Sequence, residues 1–178
     1  MPTYVAMLRG VNVGAHNRIK MPALTDLFVA LGHTDVVTYI QSGNVVFKSR
    51  SKSAAAVARG IASAIEAELG SDVAVLIRSK EELAGIVKAN PFLRAKVDPA
   101  RLHVTLLAEA PAADAARALE QFDAGSDEAS VVGREVYLHC PNGYGNTKLN
   151  PALIERRLGT TSTTRNWKTI TTLLELAG

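Results

Sequence analysis

A single cysteine, Cys140, is all that the 178-residue chain contains, so an internal disulfide is impossible and a thiolate metal cage is excluded. It follows Tyr137, Leu138 and His139, a context that reads as strand packing rather than as a reactive thiol. Aromatic residues amount to 5 %, too few for a surface that stacks many bases. No apolar run approaches the ~20 residues needed to cross a bilayer, and residues 1–8 lack the basic start and apolar core of a signal peptide. No membrane partner and a cytoplasmic location are therefore expected. His33, His103 and His139 stand at no metal-ligand spacing with any Cys, Asp or Glu, so no metal is expected either. Acids are missing between Val36 and Ile65 and again between Arg156 and Leu174.

What is present is the composition of a folded protein, 47 % hydrophobic and 21 % charged, long enough for one ordinary domain or two small ones with a real core. The net charge of +3 is unevenly spread. Residues 1–79 hold eight Lys/Arg against five Asp/Glu, residues 80–134 seven against nine, and residues 135–178 five against three. Arg50, Lys52 and Arg59, in the first acid-free stretch, read as a solvated face.

Periodicity orders the elements. Tyr4 to Leu8 is a short apolar strand; Leu24, Leu27, Phe28 and Leu31 mark one buried face of a helix opened by Pro22 and closed by Gly32. Val36 to Gln41 and Asn44 to Lys48 read as a tight hairpin around Ser42 and Gly43. A helix from about Lys52 to Leu69, striped by Val57, Ile61 and Ile65, and a strand from Val73 to Ile77 complete a βαββαβ order, the ferredoxin-like split βαβ arrangement. Ser79 and Glu82 form a capping box for a short bridging helix that Asn90 and Pro91 end. A strand from Leu102 to Leu107, a helix over about 112–122, a hairpin around Gly133 and Arg134, and a helix between Asn150 and Gly159 follow. A threonine-rich turn, 160–164, leads into a last helix with Trp167, Ile170, Leu173 and Leu174 facing inward. The expectation is an α+β protein: a half-domain over 1–79, a bridge over 80–98, and a similar βαββα half with an extra C-terminal helix over 99–178.

The stretch LRGVNVGAHNRIKMP, 8–22, carries the chemistry. It leaves a strand, passes two glycines and two asparagines, gathers Arg9, Arg18 and Lys20, and enters a helix without meeting a carboxylate. In a split βαβ unit the end of the first strand, the start of the first helix and the 41–44 hairpin share one sheet edge. An uncapped helix start offers N–H groups with partial positive charge, glycines let a ligand approach backbone closely, and Arg and Lys supply full charges. The candidate binding residues are Arg9, Gly10, Asn12, Gly14, Asn17 and Lys20 with Gln41, Ser42 and Asn44. Arg165 and Asn166, at an acid-free helix start, are further candidates, either for the same site or for a separate one. The same glycines and asparagines also suit a purely structural turn. Their G-x-x-x-G spacing fits neither the P-loop nor the dinucleotide fingerprint, so neither a cofactor nor an oligomeric state follows from it.

With these residues noted, the chain resembles a mainly bacterial family known as domain of unknown function 1697. LRGVNVGAHNRIKMPAL, TYIQSGNVVF at 38–47, NPF at 90–92 and TRNWKT at 164–169 carry the resemblance. It implies an α+β fold with ferredoxin-like halves and no established activity, cofactor or catalytic residue. Ala15 stands where the family usually has a second consecutive glycine, and Lys168 where asparagine is common.

The leading expectation is a protein that binds a small anionic ligand, phosphorylated, carboxylated or nucleotide-like, at the 9–20 and 41–44 edge. A nucleic-acid-binding module is the alternative, with only Tyr4 and Phe47 to stack on bases; a transferase or hydrolase using His16 or Tyr144 is the third.

Overall fold

Short apolar runs separated by capped helices leave little choice of layer, because each sheet must bury at least one face beneath its helices. The computed structural model describes residues 1–94 and 96–178, with the side chain of residue 94 also outside the description. Two four-stranded antiparallel sheets and six α-helices are found among the described residues. The chain divides into two compact units, 1–85 with 172–178, and 86–171. Residue 95, inside the bridge expected over 80–98, lies outside the described residues.

In the first unit β1 (Thr3–Leu8), α1 (Met21–Ala30), β2 (Thr34–Tyr39), β3 (Asn44–Lys48), α2 (Ala54–Leu69) and β4 (Val75–Ser79) build a sheet of order β2-β3-β1-β4. All neighbours are antiparallel, so β1 and β2 run parallel with β3 between them, as the ferredoxin-like order requires. Tyr4, Ala6 and Leu8 alternate into a core with Val45 and Phe47 of β3, Leu24, Leu27 and Phe28 of α1, and Val57, Ile61 and Ile65 of α2. Phe28 meets Phe47 edge-on at 5.0 Å. The Ser53 hydroxyl accepts from the Ala56 N–H at the start of α2, and Gly70 ends that helix with φ of 70°.

Two local expectations are corrected here. Leu31 follows the helical spacing but is 40 % exposed, because α1 stops at Ala30 and Leu31 turns away as its C-cap. The hairpin loop is 40–43 rather than two residues: Tyr39 pairs with Asn44, and Ile40 leaves the strand with φ of 50°. On the outer strand β2 the register shifts between Thr34 and Val37, Asp35 takes φ of 51°, and its carboxylate meets Lys48 Nζ at 2.8 Å.

The second unit repeats the plan. β5 (Leu102–Leu107), α4 (Ala113–Glu120), β6 (Glu128–Val132), β7 (Glu135–His139), α5 (Pro151–Leu158) and β8 (Ser162–Asn166) give the order β6-β7-β5-β8. β8 corrects the threonine-rich turn: the segment pairs with β5 along its length, so this half too is βαββαβ. Leu107, Leu119, Val136, Leu138, Cys140, Leu149 and Ile154 form its core, which confirms Cys140 as a packing residue. Burial pushes its thiol pKa up, against the opposing pull of the Thr147 hydroxyl.

Each fourth strand ends in the same way. β1 pairs Val5 with Arg78, and β5 pairs Val104 with Arg165; both arginines are buried, and a helix begins directly after the next residue. Ser79 and Glu82 exchange two hydrogen bonds of 2.8 and 3.1 Å at the start of α3 (Lys80–Lys88), the expected capping box. Asn166 accepts from the Thr169 N–H at 2.8 Å at the start of α6 (Trp167–Leu176). No described helix is long and apolar enough to cross a membrane.

Candidate functional site

Residues 9–20 leave β1 and return to α1 as a folded loop. Val11 and Ile19 sink into the first unit's core, while Val13 and His16 bridge across a small turn whose base is closed by the Asn12 N–H to the Asn17 carbonyl, at 3.0 Å. Asn12 is the clamp. Its Nδ2 donates to the carbonyls of Ile19 and Gln41, at 2.9 and 2.6 Å, and its Oδ1 accepts from the Ile19 N–H at 2.8 Å. The φ of 57° that this requires suits asparagine better than most residues. One side chain therefore ties the loop to itself and to the distant hairpin. A second tie lies beneath it, from the Leu8 N–H to the Gly43 carbonyl at 2.9 Å.

The two segments do meet at one edge, and a cavity of about 280 Å³ lies between them, lined by Asn12, Arg18, Ile19, Lys20 and Gln41. Ile19 is buried, while its neighbours on either side, Arg18 and Lys20, are both exposed. Among the described residues neither side chain has a hydrogen-bond or ion-pair partner. Lys20 is also the N-cap of α1, with ψ of 136°; no side chain caps the helix and no acid occupies its first turn. Two cations and the positive end of a helix thus face one space, and no acidic residue is among its lining residues.

The expected residues fall into three groups. Lys20, Gln41 and Asn12 line the cavity, although the Asn12 amide is already engaged. Arg9, Gly10, Gly14 and Asn17 belong to the same loop outside the cavity wall; the Arg9 N–H bonds the Ala74 carbonyl. Ser42 and Asn44 are structural: Asn44 is fully buried, and its Nδ2 donates to the Tyr39 carbonyl and the Ser42 hydroxyl, at 3.1 and 2.8 Å. That removes Asn44 from any surface a ligand reaches. Arg18 is the residue the sequence reading left out of the binding set; the buried Ile19 beside it was the signal that would have turned it outward.

Arg165 is a further correction. It lies buried on β8 in the second unit, where its guanidinium donates to the Thr163 hydroxyl and Thr164 carbonyl at 2.6 and 3.0 Å, and desolvation brings its pKa down to about 10. Asn166 serves as a helix cap. Tyr144 packs against the second core and stacks on His103 at 4.4 Å. Burial raises its pKa, the nearby Thr164 hydroxyl partly offsets this, and the phenol oxygen has no hydrogen-bond partner among the described residues. It is a neutral phenol packed in a core.

The fold defines a protein of two ferredoxin-like α+β units, the first bearing a cationic cavity at its edge. The chain belongs to the family described as protein of unknown function (DUF1697), whose model matches residues 1–137. Among solved structures it is similar to a conserved bacterial protein from Streptococcus pneumoniae, with 22 % sequence identity, a TM-score of 0.80 and 99 % of each chain covered. That likeness extends the fold to a bacterial relative. No curated protein matches the chain.

Proposed function

We propose that the protein binds a small phosphorylated or carboxylated ligand in the 280 Å³ cavity of the first unit. The observation that carries this reading is the pair Arg18 and Lys20, without a partner among the described residues, beside an uncapped, acid-free helix start. Gln41, exposed on the facing hairpin, adds a neutral donor and acceptor for a sugar, base or amide. The nucleic-acid alternative loses its support, because Tyr4 and Phe47, its two stacking candidates, are buried in the first unit's core. An acid–base role for Tyr144 is likewise disfavoured by its burial. We place the chain's work in the cytoplasm, in keeping with its one buried cysteine.

The test is a thermal-melt panel of pyrophosphate, a nucleoside monophosphate, a sugar phosphate and a dicarboxylate against wild type and an Arg18→Gln/Lys20→Gln double variant, which removes both charges without introducing a helix cap. A ligand at one hundred times its Kd stabilises a folded protein by about 2.7 kcal/mol, a shift of several degrees. We expect at least one anion to give that shift in wild type and none in the double variant, whose ligand-free melting temperature stays the same. A flat panel, or equal shifts in both proteins, refutes the reading.

A further inference from the structure

A larger cavity, of about 420 Å³, opens at the opposite end of the same sheet, where α1 leads into β2 and β3 leads into α2. Its volume falls within the range of about 300–1,000 Å³ typical of small-molecule sites. In the second unit the corresponding connections are 121–127 and 140–150, and their Phe122, Ala124 and Tyr144 pack into that unit's own core. The first unit has only 31–33 and 49–53 there, and the space stays open.

The walls are chemically mixed in a useful way. Val57 and Ile61 of α2 supply an apolar floor, and between them on the same wall lies Gly60. A glycine inside a helix weakens it relative to alanine, yet a Cβ added here would meet nothing within 4 Å. On the α1 side stands His33, half-buried, its ring 4.8 Å from Phe47 and 5.9 Å from Phe28. Burial lowers its pKa, so the imidazole is neutral, with one donor and one acceptor that no described residue engages. Arg50, on the remaining wall, has no ion-pair partner among the described residues, and no acid occurs between Val36 and Ile65.

We propose that this cavity is a second binding site, independent of the edge site, for a small organic anion with a flat apolar body. Its carboxylate or phosphate pairs with Arg50, the body lies on Val57 and Ile61 where Gly60 leaves room, and one polar atom meets the His33 imidazole.

The test follows backbone amides of the full chain by ¹H–¹⁵N spectra during titration with benzoate, phenyl phosphate and benzyl alcohol. Saturable shifts confined to 31–33, 49–51 and 56–61 are expected for both anions, the tighter one naming the acid group. Benzyl alcohol in wild type, and either anion with Arg50→Gln, bind about tenfold more weakly, as loss of one charge-assisted contact dictates. Gly60→Leu fills the space and abolishes binding in a chain at least as stable as wild type; Gly60→Ala weakens binding without unfolding anything, and both substitutions add helix propensity. The proposal fails if neither anion gives a saturable shift, if benzyl alcohol binds equally well, if the shifts fall on 9–20 and 40–44 instead, or if Gly60→Leu folds and binds like wild type.

Discussion

In the first unit the chain passes from strand to helix through residues 9–20 and turns its hairpin through 40–43; at the same places the second unit needs only 108–112 and 133–134. At the other end of each sheet the relation reverses, with 31–33 and 49–53 in the first unit against 121–127 and 140–150 in the second. Both sheets have the same order and both fourth strands end in a buried arginine followed by a helix cap. The fold therefore stands without the longer segments. What they build differs: in the second unit the added residues complete a core, whereas in the first they form a loop clamped by Asn12 beside the exposed Arg18 and Lys20.

The sharpest way to break that contrast is at the two hairpin glycines. A Cβ on Gly43 would sit 2.9 Å from Leu8 Cβ and 3.1 Å from Val11 Cγ2 at a φ of 81°, so Gly43→Ala should cost about 2–4 kcal/mol. Gly133→Ala meets only Glu135 Oε2 at 3.8 Å and should cost about 1 kcal/mol, from its φ alone. Urea unfolding of the two variants reads the difference directly; equal losses would mean that the first hairpin is not held against the loop.

Next in size is Asn12→Ala, which removes three hydrogen bonds and strains a left-handed residue, for an expected loss of about 1–3 kcal/mol. Asn12→Gly keeps the backbone and isolates the side chain's share. Hydrogen exchange in both should rise across 9–20 and 40–43 and stay at wild-type rates across 108–112.

The equivalence of the strand ends is tested by Ser79→Ala and Asn166→Ala. Each removes a helix cap and should lower stability by about 1 kcal/mol; a loss at one position only would deny the repeat. The smallest effect is on pH. Burial lowers the pKa of both His33 and His103, one in each unit, from the ordinary 6.5. The unfolded chain then takes up protons before the folded one, so the stability is full above pH 6.5 and is lost as the pH falls below it. His33→Leu and His103→Leu should each flatten melting temperature against pH, and a wild-type slope in either clears that histidine.

Elements with apolar stripes were legible because burial and periodicity agree: β1, α2 and α5 lie where their Val, Leu and Ile residues and their caps put them. β8 was not, because Ser162, Thr163 and Thr164 are polar and their strand character rests on pairing with β5, a partner distant in sequence. The convergence of loop and hairpin followed from topology alone. Which residues would face outward did not: Asn44 and Arg165 look like ligand groups until hydrogen bonds within the chain claim them, and Arg18 is revealed only by the burial of Ile19.

The irregular stretch of β2 carries one more consequence. Thr34 to Val37 slips out of step with β3, Asp35 is wound the wrong way for extended chain, and a charged pair sits at its margin. A foreign β-ribbon approaching that side would find its amides and carbonyls misaligned and would have to desolvate a carboxylate to zip on. Straightening the slip, by deleting a residue there, would turn a protected flank into a template for fibrous stacking.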